Sequence, residues 1–140
     1  YSAYDQVRAY ETVLEHAPIE TLHQLRISFK GLRYRLEFLH EVMGDGRDPV
    51  IEEVKMMQDH LGDLNDADVA TSILRSYLEE WENHQQRLPL TERQPPTPIV
   101  KYLNATIDER HRLLITFPDA WKRFTRPEVR ENLARAISVL

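Results

Sequence analysis

Apolar residues recur every three or four positions along nearly the whole chain, no run of β-branched residues alternates with polar ones, and glycine occurs only four times. This pattern predicts helix almost throughout. A first helix, roughly Tyr4 to Glu15, carries Tyr4, Val7, Tyr10 and Leu14 on one side, and should stop at Ala17-Pro18 because the residue before proline disfavours the α conformation. Pro18 opens a long helix to about Met43. Gly44 to Asp48 reads as a turn, with Asp48 as cap and Pro49 as the first residue of the next helix. That helix has Val50, Val54, Met57 and Leu61 at helical spacing, and Gly62-Asp63 is expected to close it. Asn65 or Asp66 then caps a fourth, running to about His84 with Val69, Ile73, Tyr77 and Trp81 in an i, i+4 series.

Residues 85–98 hold Pro89, Pro95, Pro96 and Pro98 and predict an extended linker loop. Thr97-Pro98 starts a fifth helix to about Thr116. Thr116-Phe-Pro-Asp119 and Thr125-Arg-Pro-Glu128 both have the Thr-x-x-acid form of a capping box, marking a short helix and a terminal one. The expectation is an all-α fold, an antiparallel helical bundle of four long helices plus short and terminal ones. Residues 1–140 would form a single domain.

Charge narrows the functional classes. The net charge is -5, from 18 Lys and Arg against 23 Asp and Glu, which argues against a uniformly basic nucleic-acid binder. Any anion site must therefore be local. The absence of cysteine removes disulfides, thiolate metal sites and cysteine nucleophiles, and fits a cytoplasmic compartment. No apolar run approaches the ~20 residues needed to span a bilayer. With Tyr1 rather than Met at its start, the chain reads as a soluble piece of something longer.

The informative segment is LHQLRISFKGLRYRLEFLHEV, from Leu22 to Val42. On a helical projection Leu22, Leu25, Phe29, Leu32, Leu36 and Leu39 fall in one arc of about 100°, a core stripe rather than a zipper. His23, Arg26, Lys30 and Arg33 fall in an adjacent arc about 80° wide, and Ile27, Tyr34 and Phe38 form a weaker apolar line beyond it. Gln24, Ser28, Gly31 and Arg35 make the polar remainder. A basic row flanked by apolar residues on both sides is expected to line a groove between packed helices, where a lower effective dielectric strengthens attraction and repulsion alike.

No acidic residue lies between Thr21 and Leu36. Each of the like-charged neighbours Arg26-Lys30 and Lys30-Arg33 costs roughly 0.2–0.5 kcal/mol on a helix, and only Glu37 can offset them from within it. Two readings are open. The row is solvated or paired with acids on neighbouring helices, as in a non-catalytic scaffold or protein-interaction domain, or it awaits an external polyanion. Its length, about 15 Å at ~1.5 Å per residue, suits a chain of phosphates better than one phosphate. Arginine supplies forked donors to phosphate oxygens and lysine a mobile charge. His23 adds a third kind of donor, charged only when protonated, so binding that uses its charge weakens as pH rises.

Taken together, LHQLRISFKGLRYRLEFL and the later VKMMQDHLGDLNDADVA resemble the CHAD family, the conserved histidine α-helical domain. The first segment has the order His-x-x-Arg-x-x-x-Lys-x-x-Arg-Tyr at His23, Arg26, Lys30, Arg33 and Tyr34. The second has Lys-x-x-Gln-x-x-x-Gly-x-x-x-Asp at Lys55, Gln58, Gly62 and Asp66. The resemblance implies a helical bundle whose basic side chains line a channel for inorganic polyphosphate, with His23, Arg26, Lys30, Arg33, Lys55 and Gln58 as the contacts. It further implies that this chain is similar to the second of two pseudo-symmetric halves, so that another helical half or a second copy of the chain would complete the channel. Gly31 departs from the pattern, standing where relatives carry a further basic residue.

Other chemistries find little purchase. The six histidines, His16, His23, His40, His60, His84 and His111, form no HxxxH or HExxH pair, and no serine sits in a GxSxG context. A glycine-rich phosphate loop is also missing from the sequence. Asp59, Asp63, Asp66 and Asp68 lack the spacing of a calcium loop and read as caps and turn residues around Gly62 to Asn65. No catalytic residue, metal or cofactor is therefore expected, and neither a nucleic acid nor a membrane is an expected partner.

Overall fold

All regular structure among the described residues is helical, as the three-to-four-residue apolar period requires. The computed structural model describes residues 2–43 and 49–138, so the expected turn at Gly44 to Asp48 and its Asp48 cap lie outside the described residues. The elements are α1 (Ser2–Arg8), two 3₁₀ turns (Ala9–Thr12 and Leu14–His16), α2 (Ile19–Met43), α3 (Pro49–Gln86), a third 3₁₀ turn (Leu90–Glu92), α4 (Thr97–Phe124) and α5 (Pro127–Ser138). The chain forms two compact units. One runs up to Gly62 and resumes at Ile115; the other is Asp63–Leu114.

In the first unit the core is the leucine stripe of α2. Leu22, Leu25, Phe29, Leu32 and Leu36 are buried, as are Val50, Val54, Met57 and Leu61 of α3, while Leu39 is half-buried. The end of α4 brings aromatic rings onto Phe29, with Phe124 at 4.9 Å and Trp121 at 6.3 Å between ring centroids, both edge to face. Val129 and Leu133 of α5 are buried as well. Glu53 of α3 accepts hydrogen bonds from Arg123 at 3.4 Å and Arg126 at 3.0 Å, tying α3 to the α4–α5 corner.

The second unit is an antiparallel helical hairpin, its direction fixed by two cross-pairs. Asp68 accepts a hydrogen bond from Arg110 at 3.1 Å, and the Thr71 hydroxyl, 3.1 Å from that of Thr106, donates to the Ala67 carbonyl at 2.7 Å. Leu64, Ala67, Leu103 and Leu113 are buried beside them. The connection is shorter than 85–98. Helix α3 reaches Gln86, α4 starts at Thr97 as expected, and Arg93 donates to the carbonyls of Leu88 and Gln86 to hold the loop between them.

Three expected boundaries differ. Helix α3 does not stop at Gly62-Asp63, because Met57, Leu61, Leu64, Ala67 and Thr71 continue one buried register straight through. That burial outweighs the ~0.5–1 kcal/mol penalty of a mid-helix glycine, and Gly62 lacks the positive φ of a helix-ending C′ residue. Asn65, Asp66 and their acidic neighbours are accordingly helical, not caps or turn residues. Likewise α4 passes through Pro118, since Leu113, Phe117 and Phe124 are buried in one phase on both sides of it. The Thr116 box thus starts no helix. The Thr125 box does mark a break, but the Thr125 hydroxyl donates back to the Trp121 carbonyl of α4 at 2.8 Å. The first helix tightens into 3₁₀ turns after Arg8, where the β-branched pair Thr12-Val13 disfavours continued α-helix.

Candidate functional site

Helix α2 sets the candidate site by its phase. With the leucine stripe turned to the core, Arg26 and Arg33 sit at its edge and are half-buried, while Lys30, one step further round, is exposed. His23 is half-buried, with its Nδ1 shut off from solvent. The neighbouring wall is α3, which runs antiparallel to α2. Gly62 lies opposite Arg26, with the Arg26 Nε 4.0 Å from where a Cβ on Gly62 would stand. Gln58 lies opposite Arg33 and accepts a hydrogen bond from its Nη1 at 2.9 Å.

Arg33 is the fixed member of the row. Its Nε donates to Glu37 at 2.8 Å, one turn along α2. The bond to Glu37 is the largest of the influences that raise the Arg33 pKa above its already high ordinary value, so this side chain is a permanent cation. Burial works weakly the other way, and Asp59 and Tyr34 add smaller raising effects.

Arg26 and Lys30 differ from it. Among the described residues neither makes a hydrogen bond or ion pair, and the one recorded interaction of Lys30 is with the Tyr34 ring, whose centroid is 5.8 Å from its Nζ. Tyr34 was legible as a motif position, but its service to Lys30 follows from the i, i+4 spacing of a cation and an aromatic ring. Lys55 is exposed on α3, one turn before Gln58, and among the described residues no hydrogen bond or ion pair joins it to α2.

The expected groove is only half built. On the core side, α3 walls the row through Gly62 and Gln58. On the other side Ile27, Tyr34 and Phe38, expected to pack, are 66%, 57% and 65% exposed. The buried residues of α2 are those of its leucine stripe, and among the described residues the second apolar line stays largely open to solvent. Gly31, beside that line, has nothing within 4 Å of its Cβ position. The structure thus unites Arg26, Arg33 and Gln58 along the α2–α3 seam, leaves Lys30 and Lys55 in solvent, and gives Gln58 a role as arginine partner.

A model of the CHAD domain matches residues 2–75, which takes in α1, α2 and the first two-thirds of α3. The chain belongs to the CHAD family. The match covers more than half of the chain and contains every residue of the basic row together with Lys55 and Gln58. No curated protein and no solved structure matches the chain. Among the described residues, no group of three or more His, Asp or Glu side chains stands where it could hold a metal ion. No described helix is long and apolar enough to cross a membrane.

Proposed function

We propose that this CHAD-family chain is a polyphosphate-binding module, with no catalysis of its own, acting in the cytoplasm. His23, Arg26, Lys30 and Arg33 of α2 and Lys55 of α3 take successive phosphates of an extended polyanion, and Gln58 holds Arg33 in line. One observation carries the reading: Arg26 and Lys30 stand one turn apart and neither makes an ion pair among the described residues, in a chain where acids outnumber bases. Like charges so placed repel, and a bound polyanion turns that repulsion into attraction. The fixed Arg33 cation at one end offers a forked donor whose orientation Glu37 and Gln58 have already set, which lowers the entropic cost of ordering it. Family membership supports the same ligand, since the CHAD resemblance implies polyphosphate.

The test is a titration of labelled long-chain polyphosphate into wild type and Arg26→Gln/Lys30→Gln. Each charge-assisted contact contributes about 1.5–3 kcal/mol, so the double variant should bind more than tenfold more weakly, with unchanged or slightly raised melting temperature. If the variant instead binds as wild type does and melts lower, the two cations serve the fold, as in a scaffold, and the reading fails.

A further inference from the structure

A glycine inside a helix makes it less stable than alanine would, so its presence calls for a physical reason. The backbone there forbids a side chain, a neighbour stands too close to admit one, or a space has to stay open. Gly62 lies well inside α3, and neither of the first two reasons applies to it. Its φ is outside the left-handed region. Beyond its own helical backbone and chain neighbours, a Cβ at this position would meet one heavy atom within 4 Å, the Nε of Arg26 at 4.0 Å. That is an ordinary van der Waals separation, so alanine fits without strain.

The space itself remains. Arg26 is half-buried and makes no hydrogen bond or ion pair among the described residues, so its N–H donors are uncommitted. An oxygen accepting from Nε sits about 2.9 Å from it. A methyl group 4.0 Å from the same nitrogen would crowd an oxygen that approaches from the α3 side. With only hydrogen on Gly62, that side is an open notch. Arg33 is treated differently by the same wall: Gln58 faces it and accepts from its Nη1, while Glu37 accepts from its Nε. Helix α3 thus gives Arg33 a partner and gives Arg26 room.

We infer that Gly62 is the floor of a subsite for one anionic oxygen at Arg26, kept free of a side chain so that the oxygen reaches Nε from the α3 side. As a refinement that rests on the polyphosphate reading, the notch takes one phosphate of the extended chain. Arginine supplies only donors, and its bonds to phosphate oxygens are charge-assisted, which suits an oxyanion over a neutral ligand.

Gly62→Ala should raise stability and lower affinity at once. The melting temperature should rise by about 2–5 °C, as for a glycine replaced inside a helix, while labelled long-chain polyphosphate should bind roughly fivefold more weakly or worse. Gly31→Ala is the matched control, because Gly31 lies inside α2, off the basic row, with nothing within 4 Å of its Cβ position. It should raise the melting temperature similarly and leave the isotherm unchanged. In an Arg26→Gln background, Gly62→Ala should lose no further affinity, since the contact it blocks is already gone. If Gly62→Ala binds as wild type does, or loses as much affinity without Arg26 as with it, the notch is no subsite and the polyphosphate reading stands alone. A lower melting temperature for Gly62→Ala would mean that the fold itself needs the glycine, and also overturns the inference. A wild-type chain that does not bind polyphosphate overturns both.

Discussion

His23 opens the candidate motif and differs in kind from the residues that follow it, because an imidazole offers ring nitrogens where arginine and lysine offer permanent charge. Replacing a phosphate contact at this position should weaken binding, so His23→Gln should bind labelled polyphosphate severalfold more weakly than wild type in a titration at fixed pH and salt. An unchanged isotherm would remove His23 from the contacts. Arg33 is the permanent cation of the row, since the Glu37 bond pushes it further above its ordinary range. Its cation is present at every pH at which the fold survives.

At the scale of elements, the helical period was readable wherever one face was buried, and misread wherever a local signal competed with it. Helix α2 follows from its leucine spacing almost residue for residue, because its apolar arc and its buried face coincide. Gly62 and Pro118 look like helix ends in isolation, and the burial of Leu61 with Leu64 and of Phe117 with Phe124 overrides both. The stripe Val69-Ile73-Tyr77 has a helical period and lies in α3 as read, but on its exposed side, since a hairpin of two helices can bury only one face of each. Which basic residues would find partners was not legible either. The Arg33–Gln58 bond joins residues 25 positions apart and depends on the antiparallel register of α2 and α3, which no local pattern encodes.

Pro118 makes this competition measurable. An interior proline lacks the N–H that would bond one turn back and crowds that turn, a cost of about 3 kcal/mol, of which roughly 0.4–1 kcal/mol is offset by the stiffer unfolded chain. Pro118 is exposed and makes no packing contribution that alanine would lose. Pro118→Ala should therefore stabilise the protein by about 2 kcal/mol, read as a higher urea midpoint with unchanged slope. A lower midpoint would mean that proline at this position helps α4 bring Trp121 and Phe124 onto Phe29.

For the whole molecule, net charge and local charge pull in opposite directions. At -5 overall the chain repels a polyanion from a distance, while the basic row attracts it on contact. Salt decides between the two, because it screens the long-range repulsion and also removes the entropy gained when phosphates release their counterions. If contacts with the row dominate, added salt must weaken binding. Log affinity should then fall on log salt by about 0.7 per phosphate neutralised, as for a single nucleic-acid strand. The same linkage makes the ligand a stabiliser of the native state, by about 2.7 kcal/mol at a hundredfold excess over its dissociation constant, which for a chain of this size is a rise of roughly 5–10 °C in melting temperature. Melting curves with and without polyphosphate at two salt concentrations measure both effects. The rise should be present at low salt, shrink at high salt, and be much reduced in Arg26→Gln/Lys30→Gln. A rise indifferent to salt would place the ligand somewhere other than on the cations of α2.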